Sequence, residues 1–446
     1  MRRHFSNAAF GALDYVSYPL GMLLVAPIVL HRLGAAEYGL WMIATSVVSA
    51  GGIIASGFCD ACIQRVSHLR ATDELNAIPR AVQSMLAINV SLGIVLAIGI
   101  WIAAPYAASR IAVASVTPAA ECLIALRISS VLILFRAVES VGVGVQRAFG
   151  RYRATVQIST VVRLLTLAAA ALLAFFGFRT VSILIATGLF LIAGTFVQLR
   201  QASELLRGAT LRPRFQLDEA NLLLRRGVFV WLQAMGAVVF GQLDRILLGT
   251  YLGALAVAPY SLCVQFAHPN YGLTASALNF LFPYLSGRAA THTRAELRGT
   301  LLKAFACNAI LVACPAALLL IFGQQLIRLW AGPVVAQSAA QILPPIVLGS
   351  AFVGLGVTGT YALQALGLFR TVAYVSLVGR AAMLLMMVVM LRHAGLQGLA
   401  TSRLFYGSIS LLVYLPLMQE LKPGSQTGEA VIPLRLASEA QEGSKP

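Results

Sequence analysis

Apolar runs of about 20 residues recur along this whole 446-residue chain, and short clusters of charged residues separate them. A helix of that length crosses the roughly 30 Å hydrocarbon core of a membrane. The runs lack the alternation of barrel strands, and a helix satisfies its own backbone hydrogen bonds in lipid. With 59% hydrophobic and 11% charged residues, the composition indicates an all-α membrane protein with many spans.

The runs predict twelve transmembrane helices. Their expected bounds are 12–31, 39–58, 82–104, 121–142, 156–177, 180–199, 227–249, 254–285, 300–322, 342–363, 371–391 and 396–418. The eighth contains three prolines, so we expect a kink or break there. Tryptophans near the span ends are expected to anchor the protein at the membrane surfaces. They are Trp41, Trp101, Trp231 and Trp330.

The distribution of basic residues predicts the orientation. Of the 33 Lys and Arg residues, 22 lie in segments on the side of the N-terminus and only five in the opposite loops. Because cytoplasmic loops carry the excess of basic residues, both termini are expected in the cytoplasm. The net charge of +17 is spread between the spans, so it does not indicate nucleic-acid binding. The segment from residue 419 on is polar and predicted to be disordered.

The two halves of the chain resemble each other. "HRLGAAEYGLWMIATSV" aligns with "TYLGALAVAPYSLCVQF", and "VQRAFGRYRATVQISTVVR" aligns with "LQALGLFRTVAYVSLVGR". The matched pairs are Gly34 and Gly253, Gln146 and Gln364, Gly150 and Gly367, Arg153 and Arg370, Arg163 and Arg380, and Gly177 and Gly395. We therefore predict two parallel six-helix bundles, 1–199 and 227–418, joined by a basic cytoplasmic linker, 200–226, and followed by the tail 419–446. In such transporters the substrate path lies between the halves.

Several stretches carry a family resemblance. "PIVLHRLGAAEYGLWMIATSVVSAGGIIASGFCDACIQRVS", "GQLDRILLGTYLGALAVAPYS", "LNFLFPYLSGRAA" and "GVQRAFGRYR" resemble segments of bacterial polysaccharide exporters of the Wzx type. These belong to a superfamily that also holds MATE-type multidrug exporters and the lipid II flippase. "CDACI" stands where the family usually has a segment like "DLG", so no role is carried onto Asp60. The lipid II flippase normally has fourteen spans, whereas we predict twelve here.

The resemblance implies a flippase of the bacterial inner membrane. Its substrate would be an undecaprenyl-pyrophosphate-linked oligosaccharide, moved from the cytoplasmic to the periplasmic leaflet for surface polysaccharides such as O-antigen or exopolysaccharide. Membrane lipids, and possible contacts with a polysaccharide polymerase and other assembly proteins, are the further partners that it implies.

Charges inside the spans are the candidate functional residues. A charge at the bilayer centre costs about 3 kcal/mol on insertion scales and therefore needs a partner or a watery cavity. The basic ones are Arg127, Arg136, Arg163, Arg245, Arg380 and Arg403, and the acidic ones are Asp14, Glu139 and Asp244. The excess of arginine suits an anionic pyrophosphate, which the planar guanidinium group binds through its fork of donors.

The repeat-related pair Arg163 and Arg380 is the leading candidate for a pyrophosphate clamp. Each lies roughly 10–14 Å into its span, at 1.5 Å per residue. Arg127, Arg245 and Arg403 are further candidate substrate ligands, with snorkelling or structural pairing as the alternatives. Arg136 and Glu139 are three residues apart, a spacing that favours a local ion pair.

Two in-span acids are candidates for ion coupling, since a buried carboxylate can take up and release a proton. They are Asp244, which adjoins Arg245 in the seventh span, and Asp14 in the first. The alternative for each is a structural acid held by hydrogen bonds.

Other functions are less consistent with the sequence. A polymerase or glycosyltransferase would need long periplasmic loops with catalytic groups, and a cationic-drug exporter would need an acidic cavity. No nucleophile constellation or phosphate-binding glycine loop occurs, so we expect neither an enzyme nor a cofactor. The CxxC of Cys59 and Cys62 has no second cysteine pair or histidine pair nearby, which argues against a metal site.

Overall fold

A computed structural model of the chain describes residues 2–56, 59–113, 117–206, 211–278, 281, 284–285, 288 and 293–421. Nearly all of these residues are helical, and none of them lies in a strand. The first helices are α1 (Arg2–Ser56), α2 (Cys59–Ala71), α3 (Ile78–Val113), α4 (Ala119–Ala148), α5 (Tyr152–Phe175) and α6 (Thr180–Leu205). They are followed by α7 (Leu217–Gly241), α8 (Leu243–Leu252), α9 (Ala254–Ala277), α10 (Arg294–Ala331), α11 (Pro333–Ala340), α12 (Leu343–Ala365), α13 (Phe369–Ser410) and α14 (Tyr414–Glu420).

The predicted all-α membrane fold is confirmed. Each of the twelve predicted spans lies largely on helical residues in the part of the chain that the structure describes, with turn residues at or near a span end or, at residues 242 and 278, inside a span. Seven helical stretches in the described ranges are long and apolar enough to cross a membrane by length and composition. Two of these stretches each overlap two predicted spans, because α1 and α13 continue through a kink; they are Gly21–Ala55 and Arg370–Glu420.

Packing divides the described chain into two compact units. The first holds the residues up to Leu262 together with 327–338 and 394–396, and the second holds 263–326, 339–393 and the described residues from 397 on. This division rests on contacts and not on the repeat, so the predicted six-helix halves 1–199 and 227–418 stay a prediction.

The glycines matched in the repeat all have positive φ angles. Gly34 has φ 85° and ψ 171°, and Gly253 has φ 80° and ψ 172°, a region essentially confined to glycine. The other two matched glycine pairs also have positive φ throughout. Their φ angles are 77° at Gly150 and 79° at Gly367, then 81° at Gly177 and 54° at Gly395. Glycines with positive φ therefore interrupt the helices at corresponding positions, which supports the internal repeat.

A buried asparagine links two helices in each unit, and the two asparagines and their partners are separated in sequence by about the offset of the repeat. In the first unit Asn89 of α3 donates from Nδ2 to the Ala137 carbonyl and the Ser140 hydroxyl of α4, at 3.4 and 2.9 Å. In the second unit Asn308 of α10 donates from Nδ2 to the Leu355 carbonyl and the Thr358 hydroxyl of α12, at 3.4 and 2.9 Å.

The segments between the spans contain more helix than expected. The predicted linker is helical from Leu217, where Asp218 and Glu219 occupy the first turn of α7 and favour the positive end of its dipole. Arg65 of α2 donates from Nε and a terminal nitrogen to the two carboxylate oxygens of Glu219, at 3.1 and 2.7 Å. This bond raises the pKa of Arg65 and ties α2 to the start of α7.

Two further predictions need a correction or a limit. Trp41 is only 3% exposed and packs edge-on against the ring of Tyr38, so the prediction that it anchors at the membrane surface is wrong. Of the tail predicted to be disordered, residues 419 and 420 belong to α14, and the residues beyond 421 lie outside the described part.

Candidate functional site

The break between α7 and α8 places Asp244 and Arg245. Gln242 has φ −134° and ψ −33°, which ends α7, and Asp244 then lies in the first turn of α8. Its Oδ1 accepts the backbone N–H of Arg245 at 2.8 Å, and its Oδ2 accepts the hydroxyl of Tyr260 at 2.6 Å. The fully buried carboxylate therefore holds α8 to α9. These bonds agree with the alternative that Asp244 is a structural acid held by hydrogen bonds. They do not test a role in ion coupling.

Arg245 has a different environment from its neighbour. It is half-buried, and its Nε is inaccessible to solvent and has no hydrogen-bond partner among the described residues. Two adjacent helical residues point about 100° apart, so Asp244 can face α9 while Arg245 faces elsewhere. The two charges are thus not a self-contained ion pair.

Arg127 and Arg380 share this feature of Arg245. Each is half-buried, and each has a buried Nε without a hydrogen-bond partner in the described part of the chain. The guanidinium carbon of Arg127 lies 4.8 Å from the centre of the Trp101 ring, a cation–π contact that leaves the N–H groups at the edge available. A buried donor without an acceptor is costly, and an anion would relieve that cost.

The remaining predicted site residues lie on three helices. Arg163 on α5 and Arg403 on α13 are half-buried, and each takes part in an interaction. Arg163 belongs to the first unit and Arg380 to the second, so the predicted clamp between them stays a prediction. Asp14 lies on α1, and its side chain is outside what the structure describes, as is that of Asp60 on α2.

The local ion pair predicted on α4 is confirmed. Arg136 donates to the carboxylate of Glu139 at 2.8 Å, and the carboxylate is buried. Arg136 therefore has a partner three residues away on its own helix and needs no substrate to explain it.

The cysteines show no metal-site arrangement in the described ranges. All six are free thiols, and no group of three or more His, Cys, Asp or Glu residues that could hold a metal occurs in the part of the chain described. Burial raises the pKa of the Cys62 thiol, which keeps it protonated, and Cys59 donates to the Ser140 carbonyl at 3.2 Å.

Sequence reasoning missed Tyr260 as the partner of Asp244. The two are 16 residues apart on separate helices, and Tyr260 lies in an otherwise apolar stretch. A tyrosine within a span was the available signal, because a buried phenol usually finds a hydrogen-bond partner.

Comparisons with known proteins agree on the family and the fold. The profile of a family described as "Polysaccharide biosynthesis protein" matches residues 29–335. The structure titled "Lipid II flippase MurJ, inward closed conformation" is similar with a TM-score of 0.73 and 14% identity, over 92% of this chain and 87% of that one. An inward-facing multidrug resistance MATE family transporter of the MOP superfamily has a TM-score of 0.70 and 14% identity, over 92% and 98%.

A more distant likeness extends the same comparison. The eukaryotic MATE transporter AtDTX14 has a TM-score of 0.62 and 16% identity, over 94% of this chain and 96% of that chain. At these identities the likeness shows the fold. No curated protein sequence matches the chain significantly.

Proposed function

The chain belongs to the polysaccharide biosynthesis protein family, and we propose that it is a flippase for an undecaprenyl-pyrophosphate-linked oligosaccharide. It would move this substrate from the cytoplasmic to the periplasmic leaflet of the bacterial inner membrane, with both termini in the cytoplasm. The family profile, the fold shared with a structure titled as a lipid II flippase, and the uneven distribution of basic residues between the two sides of the predicted spans support this proposal.

The observation that carries the proposal is the state of three in-span arginines. Arg127, Arg245 and Arg380 each bury an Nε–H group that no acceptor among the described residues satisfies. A pyrophosphate offers several charged acceptor oxygens, and a charge-assisted hydrogen bond to arginine is roughly twice as strong as a neutral one. The substrate would thus satisfy donors that the described protein groups leave unpaired.

The proposed mechanism is alternating access. The pyrophosphate enters from the inner leaflet and binds the arginines, Arg163 and Arg380 first and Arg127, Arg245 and Arg403 along the path. The lipid tail stays in the bilayer while the two halves expose the headgroup to each side in turn. Ion coupling through Asp244 or Asp14 is part of the proposal, and no chemical step on the substrate is required.

A reconstituted flipping assay tests the proposal. Proteoliposomes containing the lipid-linked oligosaccharide are treated from outside with an enzyme that cleaves only sugars on the outer leaflet, and the rate of exposure is measured. Losing a hydrogen bond to a charged group costs about 1.5–3 kcal/mol, so Arg163→Ala or Arg380→Ala should slow flipping by roughly 10- to 150-fold.

The control for this assay is Arg200→Ala. Arg200 is 72% exposed on the surface of α6, and its ion pair with Glu204 is long, at 3.5 Å, so its loss should leave the rate unchanged. Full flipping by correctly folded Arg163 and Arg380 variants would rule out the clamp. Efflux of a cationic dye by the wild type, without flipping of the lipid-linked sugar, would indicate a drug exporter instead.

A further inference from the structure

Two connections of the predicted second half pack with the first compact unit. They are 327–338 and 394–396, whereas the predicted spans on either side of them lie almost entirely in the second unit. The turn between α8 and α9 also belongs to the first unit. The predicted topology places all three connections on the periplasmic side of the membrane. The first unit therefore holds parts of the second half at that surface.

A hydrogen bond joins the longest of these connections to the first half. Nε2 of His31, on α1 at the end of the first predicted span, lies 3.1 Å from the carbonyl oxygen of Trp330 on α10. A carbonyl can only accept, so this ring nitrogen donates. Gly332, between α10 and α11, has φ 87°, and a Cβ atom placed on it would lie 3.7 Å from the His31 ring. The end of α10 thus rests against His31.

A closer contact lies at the turn between α8 and α9. A Cβ atom placed on Gly39 of α1 would lie 1.8 Å from the carbonyl oxygen of Ala254 and 2.7 Å from its carbonyl carbon. Side-chain Cβ atoms essentially never come within 3.0 Å of another heavy atom. Both residues are buried. Any side chain at position 39 would therefore have to push α1 away from the start of α9.

Gly249 on α8 makes a similar contact with the same helix. A Cβ atom placed on it would lie 2.4 Å from Cδ1 of Ile43. Ile43 follows Gly39 by four residues, so both contacts lie on one face of α1. The side chain of Ile43 can change its rotamer, whereas the atoms of Ala254 that face Gly39 are backbone atoms and cannot rotate away. Position 39 is therefore the more sensitive of the two.

The internal repeat does not account for these two glycines. At the offset of the repeat, Gly39 corresponds to Ala258 and Gly249 corresponds to Leu30. Neither glycine is therefore part of the turn that the halves share. Both occur where the first half meets the α8–α9 turn of the second.

We propose that these contacts form a clasp that closes the periplasmic side and must separate before the headgroup can leave. The clasp consists of His31, Gly39, Gly249, Ala254 and Trp330. It rests on the orientation and the alternating access of the proposed function, and it adds the surface at which the two halves part. Closely packed helices have discrete arrangements and do not deform continuously, so the clasp is either closed, as in this structure, or separated.

A reversible cross-link tests whether the clasp must open. His31 and Pro333, which follows Gly332, are both exposed and are replaced by cysteine. The native cysteines that are not buried are replaced by alanine; they are Cys59, Cys307 and Cys314. A short bifunctional reagent joins the new thiols through disulfides, and a reducing agent releases them. In the flipping assay the linked protein should fall to the rate of protein-free vesicles, and reduction should restore flipping.

The matched control joins two residues of the first half at the same predicted membrane level. The guanidinium carbon of Arg32 lies 4.4 Å from the centre of the Phe175 ring. Cysteines at positions 32 and 175 can be linked by the same reagent. This link does not join the two halves, so it should leave the flipping rate unchanged.

A glycine substitution tests the closed contact without any substrate. Gly39→Ala should lower the yield of the link between positions 31 and 333 severalfold, because the added Cβ keeps the clasp from closing. The yield of the link between positions 32 and 175 should not change, which shows that the variant is folded. Gly99→Ala, at an exposed helical glycine with no heavy atom within 4 Å of its Cβ position, should change neither yield.

Two results would overturn the proposal. One is flipping at the unlinked rate while positions 31 and 333 are joined, which would mean that this surface stays closed during transport. The other is an undiminished yield of that link in Gly39→Ala. If the unlinked protein flipped no lipid-linked sugar, the proposed function would fail, while the cross-linking yields would still test the clasp.

Discussion

Replacing Gly34 with alanine tests the backbone turn that the two halves share. Gly34 lies between the first two predicted spans with φ 85° and ψ 171°, and a Cβ placed there has no heavy atom within 4 Å. Steric crowding therefore adds nothing, and the whole effect comes from the backbone. A residue with a side chain in such a conformation costs about 1–3 kcal/mol.

The matched control is Gly99→Ala on α3. Gly99 is exposed and helical, and its Cβ position is also free of atoms within 4 Å. Alanine should stabilise that helix by about 0.5–1 kcal/mol. A change of 1 kcal/mol in stability shifts the unfolding midpoint by ~2 °C at the low end for domains of 150–250 residues. Gly34→Ala should therefore lower the midpoint by about 2–6 °C, and Gly99→Ala should raise it by about 1–2 °C.

The assay measures thermal unfolding of the detergent-purified protein as a fluorescent fusion. After heating, size-exclusion chromatography shows how much of the protein remains folded. Gly253→Ala should resemble Gly34→Ala, because Gly253 has the same conformation in the second half. If Gly34→Ala were as stable as Gly99→Ala, the turn would not require glycine, and a shared backbone constraint could not be the physical basis of the repeat.

Two further predictions concern polar links within the first unit. Tyr260→Phe should destabilise the protein by about 1.5–3 kcal/mol, because it removes the hydrogen bond to Asp244. In a double-mutant cycle with Asp244→Ala, the loss of stability in the double variant should be smaller than the sum of the two single losses by a similar amount. Additive losses would show that the bond contributes little. Arg65→Ala should lower the stability of the folded protein by about 1–3 kcal/mol, because it breaks the two hydrogen bonds to the partly buried Glu219. The charge-swapped double variant, Arg65→Glu with Glu219→Arg, should recover part of that stability in the same unfolding assay.

The sequence was most informative where local rules decide the structure. The spans could be predicted because each must be apolar over the thickness of the bilayer, whatever it packs against. The break at Gly34 and its match at Gly253 could be predicted from the repeat, because glycine tolerates a backbone that other residues avoid. The pair Arg136 and Glu139 could be predicted because a spacing of three fixes their proximity on one helix.

Contacts between helices could not be predicted in this way. The helices α2 and α11 are shorter than a span, so neither gave a span signal. The bond between Tyr260 and Asp244 depends on how α8 and α9 are rotated, and no periodicity in an apolar sequence fixes that rotation. The same holds for Asn308, whose partners lie about 50 residues away on α12.

The charged side chains inside the spans differ in whether described protein groups satisfy their hydrogen bonds, and this difference indicates which of them are available to a substrate. Asp244 has a donor at each carboxylate oxygen, and Glu139 has an arginine on its own helix, so both carboxylates have hydrogen-bond partners in the protein. Arg245 and Arg380 retain buried N–H groups without acceptors in the described part of the chain. Since an unpaired buried donor is unfavourable, evolution should remove it unless it is used. The imbalance favours a substrate that brings acceptors, and an anionic headgroup brings more of them than a cationic drug can.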